Sequence, residues 1–131
     1  MKAVLDTNIY VDFAMGRTDV VDLLAVQSTE ILLPAVVMGE LFYGFMKGTR
    51  TRYNEEKFHR FVTELEVSII RVDEEVARKY AIIFSTLINN GTRIPINDVW
   101  IAACCMSAGG TLLTRDRHFD HVGQIDKIIL V

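Results

Sequence analysis

Proline and cysteine are scarce in this chain of 131 residues, which holds two of each. So little proline leaves no proline-rich linker, and no repeat or low-complexity segment marks an internal boundary. The reading is therefore one domain over residues 1–131, large enough to bury a single core without staples. The two cysteines are neighbours, Cys104 and Cys105, and adjacent cysteines on a helix point to different sides, outside disulfide geometry. With no metal-ligating partner in sight, they read as packed core thiols. Long apolar runs are missing too. The longest nearly uncharged stretch, residues 99–113, is too short and too glycine-rich at Gly109 and Gly110 to span a bilayer. A carboxylate at position 6 comes too early for a signal peptide. The expectation is a soluble, cytoplasmic protein with no membrane partner. Positive charge is not in excess either: 14 Lys and Arg against 17 Asp and Glu leave a net charge of −3. That excludes coating nucleic acid by bulk charge, but not gripping a few phosphates locally.

What is present is a regular alternation of apolar strands with helical stripes. Ala3-Val4-Leu5 reads as a buried strand ending at Asp6, after which Asp6 or Thr7 can cap a helix carrying Ile9, Tyr10 and Phe13. A second helix is expected over 19–26. A strand over 30–33 is stopped by Pro34. A helix over 35–46 follows, and Phe58, Phe61, Val62 and Leu65 form the stripe of another. Residues 67–72 read as the third strand. Asp73 then caps a long helix whose inward face is Val76, Ala77, Tyr80, Ala81, Phe84, Leu87 and Ile88, ended by Asn89-Asn90-Gly91. Asn97 is expected to cap a helix over 98–108 that is apolar almost all round, and so deeply buried. Strands over 111–114 and 127–131 complete the chain. The fold class is α/β, with a mainly parallel central sheet of about five strands flanked by helices.

That topology decides where the acids fall. In an open parallel sheet, sites gather outside the carboxyl ends of the strands. Asp6 directly follows the first strand and Asp116 the fourth, while Glu40 and Asp98 lie in the early turns of helices whose starts face that same edge. Each has an ordinary explanation alone, as a cap, a helix start, a solvated acid or a turn. Their convergence does not. Two carboxylates ~4 Å apart repel by about 4 kcal/mol at an effective dielectric near 20, equivalent to roughly three pKa units. Such a cluster must take up protons or bind cations, and an all-oxygen donor set suits Mg²⁺ or Mn²⁺. Gly44, one turn beyond Glu40, would either leave space over that site or serve close helix packing.

The ordered set of motifs resembles the PIN-domain family over essentially the whole chain, and within it the VapC-type toxins of toxin–antitoxin pairs. The resemblance is carried by Asp6-Thr7-Asn8, Glu40-Leu41-Phe42-Tyr43-Gly44, Asn97-Asp98-Val99-Trp100-Ile101-Ala102-Ala103 and Leu113-Thr114-Arg115-Asp116-Arg117-His118-Phe119. It implies a Mg²⁺- or Mn²⁺-dependent endoribonuclease. Asp6, Glu40, Asp98 and Asp116 would be its catalytic, metal-holding acids, with Asn8 and Thr114 orienting them. It also implies an RNA substrate, a homodimer and a cognate antitoxin. The family varies at the position of Asp116, often carrying asparagine there. Hydrolysis of this kind would leave 5′-phosphate and 3′-hydroxyl ends. Arg93, Arg115 and Arg117 are candidates for RNA contact, each set against a plain local ion pair; Lys47, Arg50 and Arg52 have a weaker claim, as cations at a helix end. His118 and His121 read as surface residues, Trp100 as core, and Asp12 as a solvated helix residue. A non-catalytic binding module on the same fold is the main rival reading. A phosphorelay receiver is disfavoured, because Asp6-Thr7-Asn8 lacks the paired acids and Lys127 precedes a terminal strand.

Overall fold

A computed structural model describes all residues, Met1–Val131. Five strands, β1 (Lys2–Leu5), β2 (Glu30–Pro34), β3 (Ser68–Ile70), β4 (Thr111–Thr114) and β5 (Asp126–Ile129), form one sheet in the order β3-β2-β1-β4-β5. Every pairing is parallel. Between them run α1 (Thr7–Ala14), α2 (Thr18–Asp22), α3 (Ala35–Lys47), α4 (Thr51–Glu64), α5 (Glu74–Asn90) and α6 (Ile96–Ala108).

The central strand explains its own composition. Ala3, Val4 and Leu5 of β1 are fully buried, as a strand covered on both faces requires. From β1 the chain builds outward through β2 and β3, then crosses back to place β4 against the other side of β1. The reversal makes the gap between the carboxyl ends of β1 and β4 the topological switch point, where open α/β sheets hold their ligands.

Two packing clusters set the surrounding helices. Phe58 of α4 meets Tyr10 of α1 edge-on at 5.3 Å and Phe42 of α3 at 5.6 Å, with Phe61 also 5.0 Å from Tyr10. Each such aromatic pair adds about 0.5–1.5 kcal/mol beyond its buried area. On the other side of the molecule, Trp100 of α6 stacks on Tyr80 of α5 with ring centroids 4.0 Å apart. Val99 and the run Ile101–Cys105 are buried, so α6 is apolar nearly all round, as its sequence requires, and the thiols are core.

Several boundaries differ from the sequence reading, each for a local reason. Helix α6 begins at Ile96, not Asp98, and its cap is Pro95, whose carbonyl accepts from the amides of Asp98 and Val99 (3.0 and 3.2 Å); Asn97 lies inside the first turn. Strand β3 stops at Ile70, because its partner β2 ends at Pro34 where α3 begins. Strand β5 starts one residue earlier than expected and ends at Ile129, the partner of the last β4 residue. The expected second helix is α-helical only to Asp22 and then widens into a π turn over Leu23–Gln27, which turns both Leu23 and Leu24 inward. In α5 the inward face is Val76, Ile83 and Leu87, with Tyr80 and Phe84 beside them. Ala77 and Ala81 face out, small residues that the apolar count could not orient.

The α6–β4 junction is the tightest point. Gly109 ends α6 in the left-handed conformation (φ +69°), and a Cβ on Gly110 would stand 2.7 Å from Val4 Cγ2 and 2.9 Å from the Lys2 carbonyl oxygen. Gly110→Ala is therefore expected to destabilise the protein by about 1–3 kcal/mol. Urea unfolding followed by circular dichroism would show this as a lower midpoint at an unchanged m-value.

Candidate active site

The cleft at the switch point measures about 390 Å³ and is lined by Asp6, Thr7, Asn8, Val11, Asp12, Glu40, Asp98 and Asp116. All four acids singled out from the sequence are among them, contributed by the end of β1, by α3, by α6 and by the turn after β4. No lysine or arginine lines the cleft.

Asp6 is its anchor. The residue is 5% exposed, and its carboxylate does two jobs. Oδ1 caps α1 by accepting from the Thr7 amide at 2.8 Å, while Oδ2 accepts from Thr114 Oγ1 at 2.7 Å and from Asn8 Nδ2 at 3.4 Å. Thr114 is fully buried and in turn accepts from the Asp116 amide at 2.9 Å, so one hydroxyl joins two acids. Asn8 Oδ1 accepts from the Arg115 amide at 3.2 Å, tying α1 to the turn after β4. Asn8 and Thr114 thus both donate to the Asp6 carboxylate. Glu40 is held from the other side, accepting from Thr7 Oγ1 at 2.7 Å.

Asp98 and Asp116 meet across His118. Asp116 caps a short 3₁₀ turn, Arg117–His121, by accepting from the His118 amide at 2.9 Å. That turn brings His118 Nδ1 to 3.1 Å from Asp98 Oδ2 and 2.9 Å from Asp116 Oδ1. The electrostatics follow from this crowding. Burial pushes the Asp6 carboxyl above its ordinary range, with Glu40 and Asp116 adding to the rise against the Thr114 and Thr7 hydrogen bonds. Burial also pushes Asp98 up to about 6, partly opposed by His118 and reinforced by Asp116 and Asp6. His118 is raised mainly by its bond to Asp98. The acids therefore sense one another, as groups sharing one site must.

Comparison with known proteins decides the family: the PIN domain matches residues 3–125. This chain belongs to the PIN-domain family. Over 120 residues it is 31% identical to Ribonuclease VapC2 of Rickettsia felis, covering 88% of this chain and 87% of that protein. Over 122 residues it is 28% identical to Ribonuclease VapC5 of Mycobacterium tuberculosis, covering 88% and 84%. Among solved structures, a chain of VapBC2 from Rickettsia felis, bound to a DNA fragment from its promoter, superposes with a TM-score of 0.88 at 24% identity over 98% of both chains. DNA-bound VapBC from Salmonella typhimurium gives 0.88 at 21% identity, also over 98% of both. At these identities the structural likeness speaks for the fold.

Within this PIN domain the donor chemistry fits a divalent ion. Carboxylate oxygens dominate the cleft, the adjacent Arg115 guanidinium is taken up by Asp12 alone of its acids, and the donor atoms of Asp98, Asp116 and His118 lie within 4.8 Å of one another. A Cβ on Gly44 would meet nothing within 4 Å, so close helix packing is not the reason for that glycine.

Asp12 is not a solvated helix residue: its side chain is 15% exposed, lines the cleft and binds the Arg115 guanidinium, with Arg17 3.8 Å away. Arg115 is accordingly held by an acid, and its Nη2 is buried without a partner. Arg117 is exposed and pairs with Asp120 at 3.5 Å, and Arg93 is exposed on the loop before α6. Thr7, which the sequence offers only as a possible cap, donates instead to Glu40, and a hydroxyl beside Asp6 at a helix start is the signal for that. His118 is half-exposed yet belongs to the acid cluster, and the spacing Asp116-x-His118 on one turn was its sign. No helix is long and apolar enough to cross a membrane.

A raised carboxyl pKa means that the folded protein holds a proton the unfolded chain gives up. For Asp98, the folded state is favoured below the ordinary value of 3.8, and that advantage is lost as pH rises through about 6. In chelator-treated protein, Asp98→Asn is therefore expected to raise the melting temperature at pH 8, with the gain shrinking toward pH 4. Calorimetric scans across that range would check it. Equal melting shifts at both ends would contradict the assignment.

Proposed function

We propose that this PIN-domain protein is a divalent-metal-dependent endoribonuclease and the toxin of a toxin–antitoxin pair. The observation that carries the reading is the convergence of Asp6, Glu40, Asp98 and Asp116 on one cleft that no lysine or arginine lines. The relatives named ribonucleases supply the substrate class. The VapBC assemblies among its structural neighbours suggest an antitoxin partner. A homodimer working in the cytoplasm is part of the same reading.

In this reading Asp6, Asp98 and Asp116 hold the ion, with Mg²⁺ or Mn²⁺ as the candidates that the oxygen-rich donor set favours. When bound, such an ion supplies Lewis-acid polarisation of the scissile phosphate and a lowered pKa for attacking water. Thr114 and Asn8 keep the Asp6 carboxylate turned into the cleft. Glu40, steadied by Thr7, accepts a hydrogen bond from the attacking water and aligns it with the phosphorus. Arg93, exposed on the loop before α6, and Arg117, exposed and paired with Asp120, would meet flanking phosphates, while Arg115 acts through its bond to Asp12. No ribose 2′-hydroxyl is called on as nucleophile, so the products carry 5′-phosphate and 3′-hydroxyl ends.

Cleavage of a mixed RNA substrate with and without Mg²⁺ or Mn²⁺ tests this. Cutting is expected only with metal, and Asp6→Asn or Asp98→Asn should reduce it by about two orders of magnitude or more. No cutting with any ion, or equal cutting by all three proteins, would favour a non-catalytic module. Products ending in cyclic 2′,3′-phosphate would overturn the mechanism alone.

A further inference from the structure

One imidazole nitrogen stands against two acids of the cleft. The 3₁₀ turn capped by Asp116 folds the His118 ring back so that Nδ1 faces Asp116 Oδ1 at 2.9 Å and Asp98 Oδ2 at 3.1 Å. Both separations are short enough for one ion to touch Nδ1 together with either oxygen, and they are hydrogen-bond lengths as well. Asp116 and His118 are two residues apart on a single turn and reach the same point, which makes them a natural chelate. Asp98 arrives from α6, an element fixed independently by the Trp100–Tyr80 stack. His121, the other histidine of the turn, makes no side-chain bond to these acids, so the turn offers one imidazole and not a pair.

We propose that His118 is a nitrogen ligand, through Nδ1, to an ion shared with Asp98 and Asp116, and that it tilts this site from Mg²⁺ toward Mn²⁺. The inference rests on the reading of the cleft as a divalent-metal site and adds the identity of one ligand and its effect on ion choice. Imidazole nitrogen binds first-row transition ions well, whereas Mg²⁺ favours oxygen donors and retains its waters. As an added donor, Nδ1 therefore contributes more to binding Mn²⁺ than to binding Mg²⁺, which keeps water in that place. The competing role is a hydrogen-bond clasp, in which His118 only donates to Asp98 and keeps its carboxylate in place. Glutamine separates the two, because it keeps a donor but offers no imidazole.

The experiment uses the full chain loaded with Mn²⁺, in wild type, His118→Gln and Asp98→Asn. Calorimetric titration with Mn²⁺ and with Mg²⁺ gives affinities, and pulsed EPR reads the nitrogen directly bound to Mn²⁺. Wild type is expected to show ¹⁴N coupling of a bound imidazole, and His118→Gln to lose it. Mn²⁺ affinity should fall about tenfold or more in that variant, while Mg²⁺ affinity changes by less than about threefold. The chain has only three histidines, so loss of the signal in one variant assigns it. Mn²⁺ binding that Asp98→Asn weakens but that shows no ¹⁴N coupling would overturn the ligand role and leave the metal cleft standing. Equal losses for both ions in His118→Gln would do the same in favour of the clasp. Absence of Mn²⁺ binding, or binding indifferent to Asp98→Asn, would overturn the metal reading of the cleft together with this inference.

Discussion

The structure depends on keeping a charged group at the end of a fully buried strand. Asp6 follows three residues with no exposure at all and is itself almost covered. A carboxylate in such a place is costly unless hydrogen bonds replace the water it has lost. Three donors do so: the Thr7 amide, the Thr114 hydroxyl and, at longer reach, the Asn8 amide. Two of them come from the start of α1 and one from the end of β4, so satisfying one acid ties those two ends together. Repulsion from the neighbouring acids works against this arrangement, and burial raises the pKa of both Asp6 and Asp98. The fold carries that strain at a single locus while the rest of its core is apolar, a division common where stability is given up for chemistry.

Glu40 reaches the same locus by another route. Its helix is not anchored by the sheet edge alone but through Phe42, which packs on Phe58 of α4, which in turn packs on Tyr10 of α1. Tyr10 lies one turn beyond Asp6. The aromatic cluster is thus the spacer between the first acid and the second, and Thr7 completes the link with a hydrogen bond to Glu40. Helices α5 and α6 play the equivalent part for Asp98 through the Tyr80–Trp100 stack. The packing of these rings therefore sets distances inside the cleft.

Much of this was legible in the sequence because strand and helix periods differ. Ala3-Val4-Leu5 before Asp6 and Leu112-Leu113 before Thr114 gave both strand ends, and with them the edge at which the acids converge. The α/β class, the parallel sheet and the buried α6 followed from the same alternation. Other features were hidden because they depend on residues distant in the chain. The capping role of Pro95 was obscured by Asn97, the stronger cap by residue type, since a carbonyl can start a helix without help from a side chain. Asp12 looked solvated because its partner Arg115 is over a hundred positions away. His118 looked like a surface residue because nothing near it in sequence except Asp116 hints that its turn curls back toward α6. Local patterns carry local geometry; ion pairs between the two halves of the chain lie outside their reach.

The strand order also bears on synthesis. Chains emerge from the ribosome amino end first, and β1, made first, sits at the centre of the sheet with β4 as one of its two neighbours. The bond that orients Asp6 comes from Thr114, 108 residues later. A nascent chain can pair β1 with β2 early, yet the bottom of the cleft stays open until β4 has left the tunnel as well. The acid cluster consequently waits on a strand made long after the one it is built on.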